Sequence, residues 1–230
     1  KIMKHPDYIT TTTKTWVERQ SKFLKRRVEF LPNGYSSFDN LKLKKQNKFN
    51  DKDIIRVLYV GAMSFGFQDF NLLFDSLKDF KNPNFEIHFI GRYSFQLQYL
   101  INKFNLSKTF RQLGLVSREK SKLMQKNYDF LLLVDSKKQT GEILLKFYEY
   151  IGANRPIICI GGNEKTEHQK ILKKLNRGNI LNNKDEVLNF FLNIQKQTDN
   201  IVDTSKSFEY SYKNSSQIFQ KMLLNNFKEK

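Results

Sequence analysis

From Ile54 onward, short apolar runs alternate with stretches whose apolar residues recur at helical spacing. IIRVLYV (Ile54 to Val60) reads as a strand that ends at Gly61, and the loop AMSFGFQD follows it. A stripe of Leu73, Leu77 and Phe80 then predicts an amphipathic helix over 70–80, because residues three and four apart share one helical face. The alternation continues with a strand at Phe85 to Ile90 closed by Gly91, a helix at Ser94 to Phe104, and a short strand at Thr109 to Leu113 before Gly114. Ser117 is a good N-cap for a helix through Met124. FLLLV (Phe130 to Val134) is apolar on both faces, as a central parallel strand should be. A helix carrying Glu149 and a strand at Pro156 to Ile160 come next, with further helices expected over 164–175, 184–194 and 210–224.

This order predicts an α/β fold with a doubly wound parallel sheet, Rossmann-like, with helices on both faces. Such sheets bind ligands outside the carboxyl ends of their strands, where strand order reverses. Gly61, Gly91, Gly114 and Gly141 all fall at those ends, so one edge of the sheet is the expected site. The first fifty residues read differently, and a charged tract over 39–53 marks a boundary. The expected division is 1–50 as the end of a preceding domain with its linker, 51–205 as the Rossmann-like domain, and 206–230 as a carboxyl-terminal helix. The start at Lys1 fits a larger parent protein of which this is the carboxyl-terminal half.

Composition narrows the class. With 39% hydrophobic residues and 21 Phe among 230, the chain has ample material for a core. No run approaches the roughly 20 apolar residues that span a bilayer, and the polar start does not resemble a signal peptide. The single Cys159, in the apolar run IICI, forms no intramolecular disulfide and reads as a buried thiol, which fits a reducing cytoplasm. The formal charge is +17, but Lys is spread over the whole chain and no nucleic-acid motif appears, so nucleic acid is not an expected partner. An anionic membrane surface stays open as a partner, placing the protein at the inner face of the cell membrane.

The most informative stretch is TGEILLKFYEYIGANRPIICIGG, Thr140 to Gly162. A Gly-containing turn opens a helix there, and Lys146 and Glu149 share a face of it. A helix N-terminus beside a strand end suits a phosphate, and a carboxylate further along suits a pair of sugar hydroxyls. Together they suggest a nucleotide-diphosphate site. His5, His88 and His168 are scattered and no Asp-x-Asp stands where a metal-dependent donor site would need it, so no metal is expected.

Four segments in order resemble the carboxyl-terminal half of retaining family 4-type glycosyltransferases of the GT-B fold: VEFLPNGYSSF, IIRVLYVGAMSFGFQDFNLLFDSL, FEIHFIGR with QLGLVSREKSKLMQKNYDFLLL, and LLKFYEYIGANRPIICIGG. The resemblance runs from about Tyr8 to Leu224. It implies that Glu149 accepts hydrogen bonds from both ribose hydroxyls. It also implies that Gly141, Glu142, Ile143 and Leu144 form the loop and first helical turn whose amides hold the diphosphate, with Lys146 in reach of the same phosphates. Leu115 and Val116 would flank the nucleobase, while Gly61 and Gly91 would let the backbone approach the ligand closely.

Two departures stand out. The loop after the first strand lacks the Arg and Lys common in the family, and Arg92, Lys137 and Lys138 replace them by position only. Gly141 stands where a Glu is common, with Glu142 displaced by one. The implied activity is transfer of a sugar from a UDP- or GDP-type nucleotide-diphosphate sugar to a polysaccharide or lipid-linked acceptor, with no other cofactor. This chain would supply mainly the donor-binding half. A non-catalytic binding domain and a sugar-nucleotide epimerase of the same fold are the alternatives.

Overall fold

The computed structural model describes residues 6–37, 54–63, 68–80, 83–135, 141–197 and 205–228. The amino-terminal segment forms β1 (Thr10–Thr11), α1 (Lys14–Leu24) and β2 (Glu29–Phe30), with the two short strands parallel. The main unit alternates β3 (Ile55–Val60), α2 (Phe70–Leu77), β4 (Phe85–Ile90), α3 (Phe95–Lys103), β5 (Phe110–Gly114), α4 (Arg118–Asn127), β6 (Phe130–Val134), α5 (Leu145–Ala153), β7 (Ile157–Ile160), α6 (Glu167–Leu175), β8 (Gly178–Leu181) and α7 (Lys184–Leu192). A last helix, α8 (Tyr212–Lys228), returns to the amino-terminal segment, where the Tyr8 hydroxyl donates to the Met222 carbonyl at 2.7 Å.

Six strands form one parallel sheet in the order β5-β4-β3-β6-β7-β8. The chain builds outward from β3 through β4 and β5, then crosses back to the other side of β3 with β6. Strand order therefore reverses between β3 and β6, which is where a doubly wound sheet opens a ligand crevice. The expected α/β class is what the chain adopts.

Period-two alternation divides the core between the two faces. Along β6, Phe130, Leu132 and Val134 join Leu73, Phe74 and Phe191 on the face covered by α2, α3 and α7. Leu131 and Leu133 join Phe147, Ile151 and Leu172 beneath α5 and α6. All five β6 residues are buried, the signature of a strand covered on both sides. Cys159 lies in this core, where burial pushes its thiol well up from the ordinary range.

Two sequence expectations need correction. GNIL (Gly178 to Leu181) pairs with β7 as a sixth strand that the apolar pattern does not announce, because its residues are short and mixed. Helix α6 opens at Glu167, three residues later than its pattern suggests, after the chain turns at Asn163 through Thr166. The charged tract over 39–53 lies outside the described residues.

Candidate functional site

The crevice is built by the parting of β3 and β6. Their registered pairing is confined to Val57 with Phe130 and Leu58 with Leu131. Beyond it the Val60 amide is satisfied by a side chain instead, bonding the Tyr150 hydroxyl of α5 at 2.9 Å. On the β6 side, the Val134 carbonyl accepts from Gln68 Nε2 at 2.9 Å and the Asp135 carbonyl from the Asp69 amide at 3.0 Å. Polar groups at the diverging strand ends are thus paired without closing the gap, which meets the requirement that buried backbone groups be bonded.

The neighbouring rim is almost bare backbone. The Gly61 amide donates to the Ile90 carbonyl at 2.8 Å, and the Gly91 amide to the Gly114 carbonyl at 3.0 Å, so three glycines stand side by side at consecutive strand ends. Gly91 has φ +154°, and a Cβ there would lie 2.7 Å from the Gly61 carbonyl oxygen. Only a residue without a side chain fits. Arg92 is exposed just beyond this rim. Past Gly114, Leu115 is 75% exposed whereas Val116 packs on the core beneath α5.

Helix α5 begins at Leu145, so of the loop and first helical turn expected over 141–144 all four residues are loop, Leu144 being the N-cap. The four loop residues have unequal fates. Gly141 is buried, with φ +96°; its carbonyl accepts from Thr13 Oγ1 at 2.6 Å, and a Cβ would lie 2.8 Å from Thr15 Cγ2. It is a packing joint against the start of α1. Glu142 is exposed, and Ile143 and Leu144 are half-buried. Leu144 is the N-cap, offers no side-chain acceptor, and gives its own amide to His168 Nε2 at 2.9 Å. The next two amides, Leu145 and Lys146, have no hydrogen-bond partner among the described residues. An uncapped N-terminus carries a partial positive charge that favours an anion.

His168 is the residue that sequence reading passed over. It is buried, its Nδ1 lies 3.1 Å from Asp135 Oδ1, and Nε2 accepts from Leu144, so the ring proton sits on the Asp135 side. The Asp135–His168 pair therefore ties the loop entering α5 to the carboxyl end of β6. Asp135 is visible in the sequence as the first polar residue after FLLLV. Its partner lies 33 positions away, and nothing local announces the contact.

Lys146 and Glu149 diverge from α5. The Lys146 ammonium reaches over the strand end to Tyr59, donating to its hydroxyl at 2.6 Å with Nζ 3.9 Å from the ring centroid; the Ala62 carbonyl lies 3.4 Å away. Burial there pushes its pKa down to about 7, with no carboxylate offsetting the loss of water. Glu149 is half-buried and makes no hydrogen bond or ion pair among the described residues. Its charge is felt by Lys122 of α4, whose pKa is lowered mainly by burial and raised by Glu149. Lys122 is itself committed to Ser36 Oγ at 2.6 Å. Lys137 and Lys138 lie outside the described residues, as do 64–67 of the loop after β3. The structure thus brings Gly61, Gly91 and Lys146 together at the ends of β3 and β4, keeps Leu144 and Glu149 on α5 and its entry, and turns Gly141 toward α1. Among the described residues, no set of three His, Cys, Asp or Glu is placed to hold a metal, and no helix is long and apolar enough to cross a membrane.

Comparison with solved structures decides the fold. Sucrose-phosphate synthase from Thermosynechococcus elongatus superposes over 100% of this chain and 60% of its own, with TM-score 0.73 and 13% identity. The fold is that of the carboxyl-terminal half of GT-B glycosyltransferases. Two further structures with this GT-B architecture match: Anabaena HepE in complex with UDP and glucose (TM-score 0.68, 13% identity, 95% of this chain and 63% of that one), and WaaG, a glycosyltransferase of lipopolysaccharide biosynthesis (0.62, 14%, 91% and 62%). The chain spans about three-fifths of the length of these GT-B proteins. No protein-family model and no curated protein matches the sequence.

Proposed function

We propose that this chain is the donor-binding part of a retaining glycosyltransferase that takes a sugar from a nucleoside-diphosphate sugar, UDP-type in the first instance, to a polysaccharide or lipid-linked acceptor. One observation carries the reading: a half-buried carboxylate, Glu149, with no bond among the described residues, stands on the same helix as an N-terminus without a side-chain cap and a lysine that reaches over the switch point. Glu149 accepts from the ribose hydroxyls, two charge-assisted bonds of about 1.5–3 kcal/mol each. The amides of Leu145 and Lys146, with the Lys146 ammonium, face the diphosphate. The glycine rim admits the ligand against backbone, and Val116 supplies an apolar wall for the base.

These groups stabilise a leaving group. When the bond between the sugar's anomeric carbon and the β-phosphate oxygen breaks, the electron pair stays on that oxygen, and the added charge grows beside the helix N-terminus and Lys146. The acceptor hydroxyl forms the new bond on the same face and its proton passes to the departing phosphate. The presence of UDP and glucose in HepE, and the assignment of WaaG to lipopolysaccharide biosynthesis, support this class of donor and acceptor. A cell-envelope acceptor would place the protein at the inner membrane face, where its positive charge meets anionic lipid.

Calorimetry with UDP, GDP and ADP tests the reading, with micromolar affinity for one of them expected. Incubation of the full-length protein with radiolabelled donor then separates transfer from epimerisation. The cation-free sequence Ala62 to Asp69 favours a second reading, a non-catalytic binding domain, which absence of binding to all three nucleotides would support.

A further inference from the structure

The sequence from Gly61 to Asp69 has no Lys or Arg, yet a cation does stand at the end of β3. It arrives from the far side of the sheet. Lys146 belongs to α5, which packs on one side of the sheet through Phe147 and Ile151, whereas Tyr59 points into the opposite core among Phe70 and Phe89, at ring distances of 5.6 Å and 5.4 Å. Lys146 Nζ bridges the two, 3.6 Å from where a Cβ on Gly61 would be. A bulkier residue at 61 would crowd the ammonium.

Tyr59 is fully buried, and its hydroxyl is the centre of a polar chain. It accepts from Lys146 Nζ and lies 2.8 Å from the Ala62 carbonyl and 3.2 Å from Gln68 Oε1, while Gln68 Nε2 donates to the Val134 carbonyl. A tyrosine hydroxyl has one proton to give, so the Ala62 and Gln68 acceptors share it and the remaining lone pair is turned to Lys146. The chain joins the end of β3, the start of α2, the end of β6 and α5, the four elements around the switch point. A long lysine side chain loses much rotamer freedom when it is fixed. Here the ring face, the hydroxyl and the Ala62 carbonyl fix it before any ligand arrives, and one of its three N–H donors stays available.

Resting on the nucleotide reading above, we infer that Tyr59 is a positioning residue: it holds Lys146 at the carboxyl end of β3, so that a lysine of α5 supplies the diphosphate cation that the loop after β3 lacks. Tyr59 touches no substrate. Its effect passes through Lys146 and should be confined to ligands that carry phosphate.

The test is a calorimetric cycle on wild type, Tyr59→Phe, Lys146→Met and the double variant, each titrated with UDP and with uridine. Tyr59→Phe keeps the ring and the core packing. It should weaken UDP about five- to tenfold and leave uridine unchanged, and it should add nothing in the Lys146→Met background. Equal losses for UDP and uridine, no loss for UDP, or additive losses in the double variant would overturn the inference while leaving the nucleotide reading intact. Wild type that binds no nucleoside diphosphate removes that reading and this inference with it. Should Tyr59→Phe not fold, NMR of ¹³Cε-labelled lysine in the wild type decides the point: the Lys146 signal should respond to UDP and to inorganic pyrophosphate but not to uridine. A silent Lys146 signal in the presence of bound UDP contradicts the assignment.

Discussion

Helices α4 and α5 cover the same face of the sheet and start at the same edge, but their first turns are built in opposite ways. Helix α4 satisfies itself. Ser117 Oγ accepts from the Lys120 amide at 3.2 Å, and Glu119 adds the negative charge that a helix N-terminus favours. Bonds from its own amide and from Ser117 hold the Glu119 carboxyl below the usual range. Only Gln125 of this helix is buried. Helix α5 does none of this: its N-cap is leucine, its first turn has no acid, and Phe147, Tyr148, Tyr150, Ile151, Gly152 and Ala153 are all buried. Solvent-facing α4 is stabilised by local capping and α5 by tertiary packing, and the latter can therefore leave its N-terminal charge uncompensated. That difference is what the proposed donor site rests on: of the two, α5 is the helix whose N-terminus is left open to an anion.

The largest expected effect contrasts one carboxylate on each helix. Glu149→Ala should weaken UDP at least tenfold, through loss of charge-assisted bonds worth about 1.5–3 kcal/mol each, while Glu119→Ala should stay within about twofold. Equal effects would erase the distinction.

Lys146 sharpens the contrast through pH. In the free protein it is half-charged near pH 7 and largely neutral above, and on the proposed function the diphosphate binds the charged form. Affinity for UDP should therefore fall about tenfold or more from pH 7 to pH 9, a window above the second phosphate ionisation near pH 6. Binding near pH 8 should take up a proton, read as a dependence of the calorimetric heat on buffer. In Lys146→Met the profile should be flat; an unchanged slope in that variant would assign the proton to another group.

Substitution at His168 has a smaller expected effect, on stability first. His168→Ala removes the acceptor of the Leu144 amide and should cost about 1–3 kcal/mol in denaturant unfolding, together with a loss of UDP affinity as the loop entering α5 loosens. On the capped helix, Ser117→Ala should cost about 1 kcal/mol of stability and leave UDP binding unchanged.

How much of this was legible in the sequence varies by residue. The β6 strand was readable because a run apolar on both faces has few other uses, and α4 was readable because Ser117 announces its start. Lys146 and Glu149 stood out through their spacing on a helix of otherwise apolar and aromatic neighbours. Strand β8 was hidden because GNIL has no apolar run, and it owes its conformation to pairing with β7. Gly141 looked like a ligand-facing turn, but its neighbour in space is Thr15, more than a hundred positions earlier. The relay from Asp135 through His168 and the chain through Tyr59 and Gln68 were invisible for the same reason. Polar pairing across the sheet edge leaves no periodic trace, and Tyr59 alternates like any core residue.

The central claim, that Glu149 holds the ribose, is tested most directly by a cycle between protein and ligand. UDP and 2′,3′-dideoxyuridine 5′-diphosphate are each titrated into wild type and Glu149→Ala. Wild type should favour UDP by at least tenfold, and the variant should bind the two alike, because the discrimination resides in that carboxylate. A variant that still prefers UDP as strongly as the wild type does would show that the hydroxyls are read elsewhere.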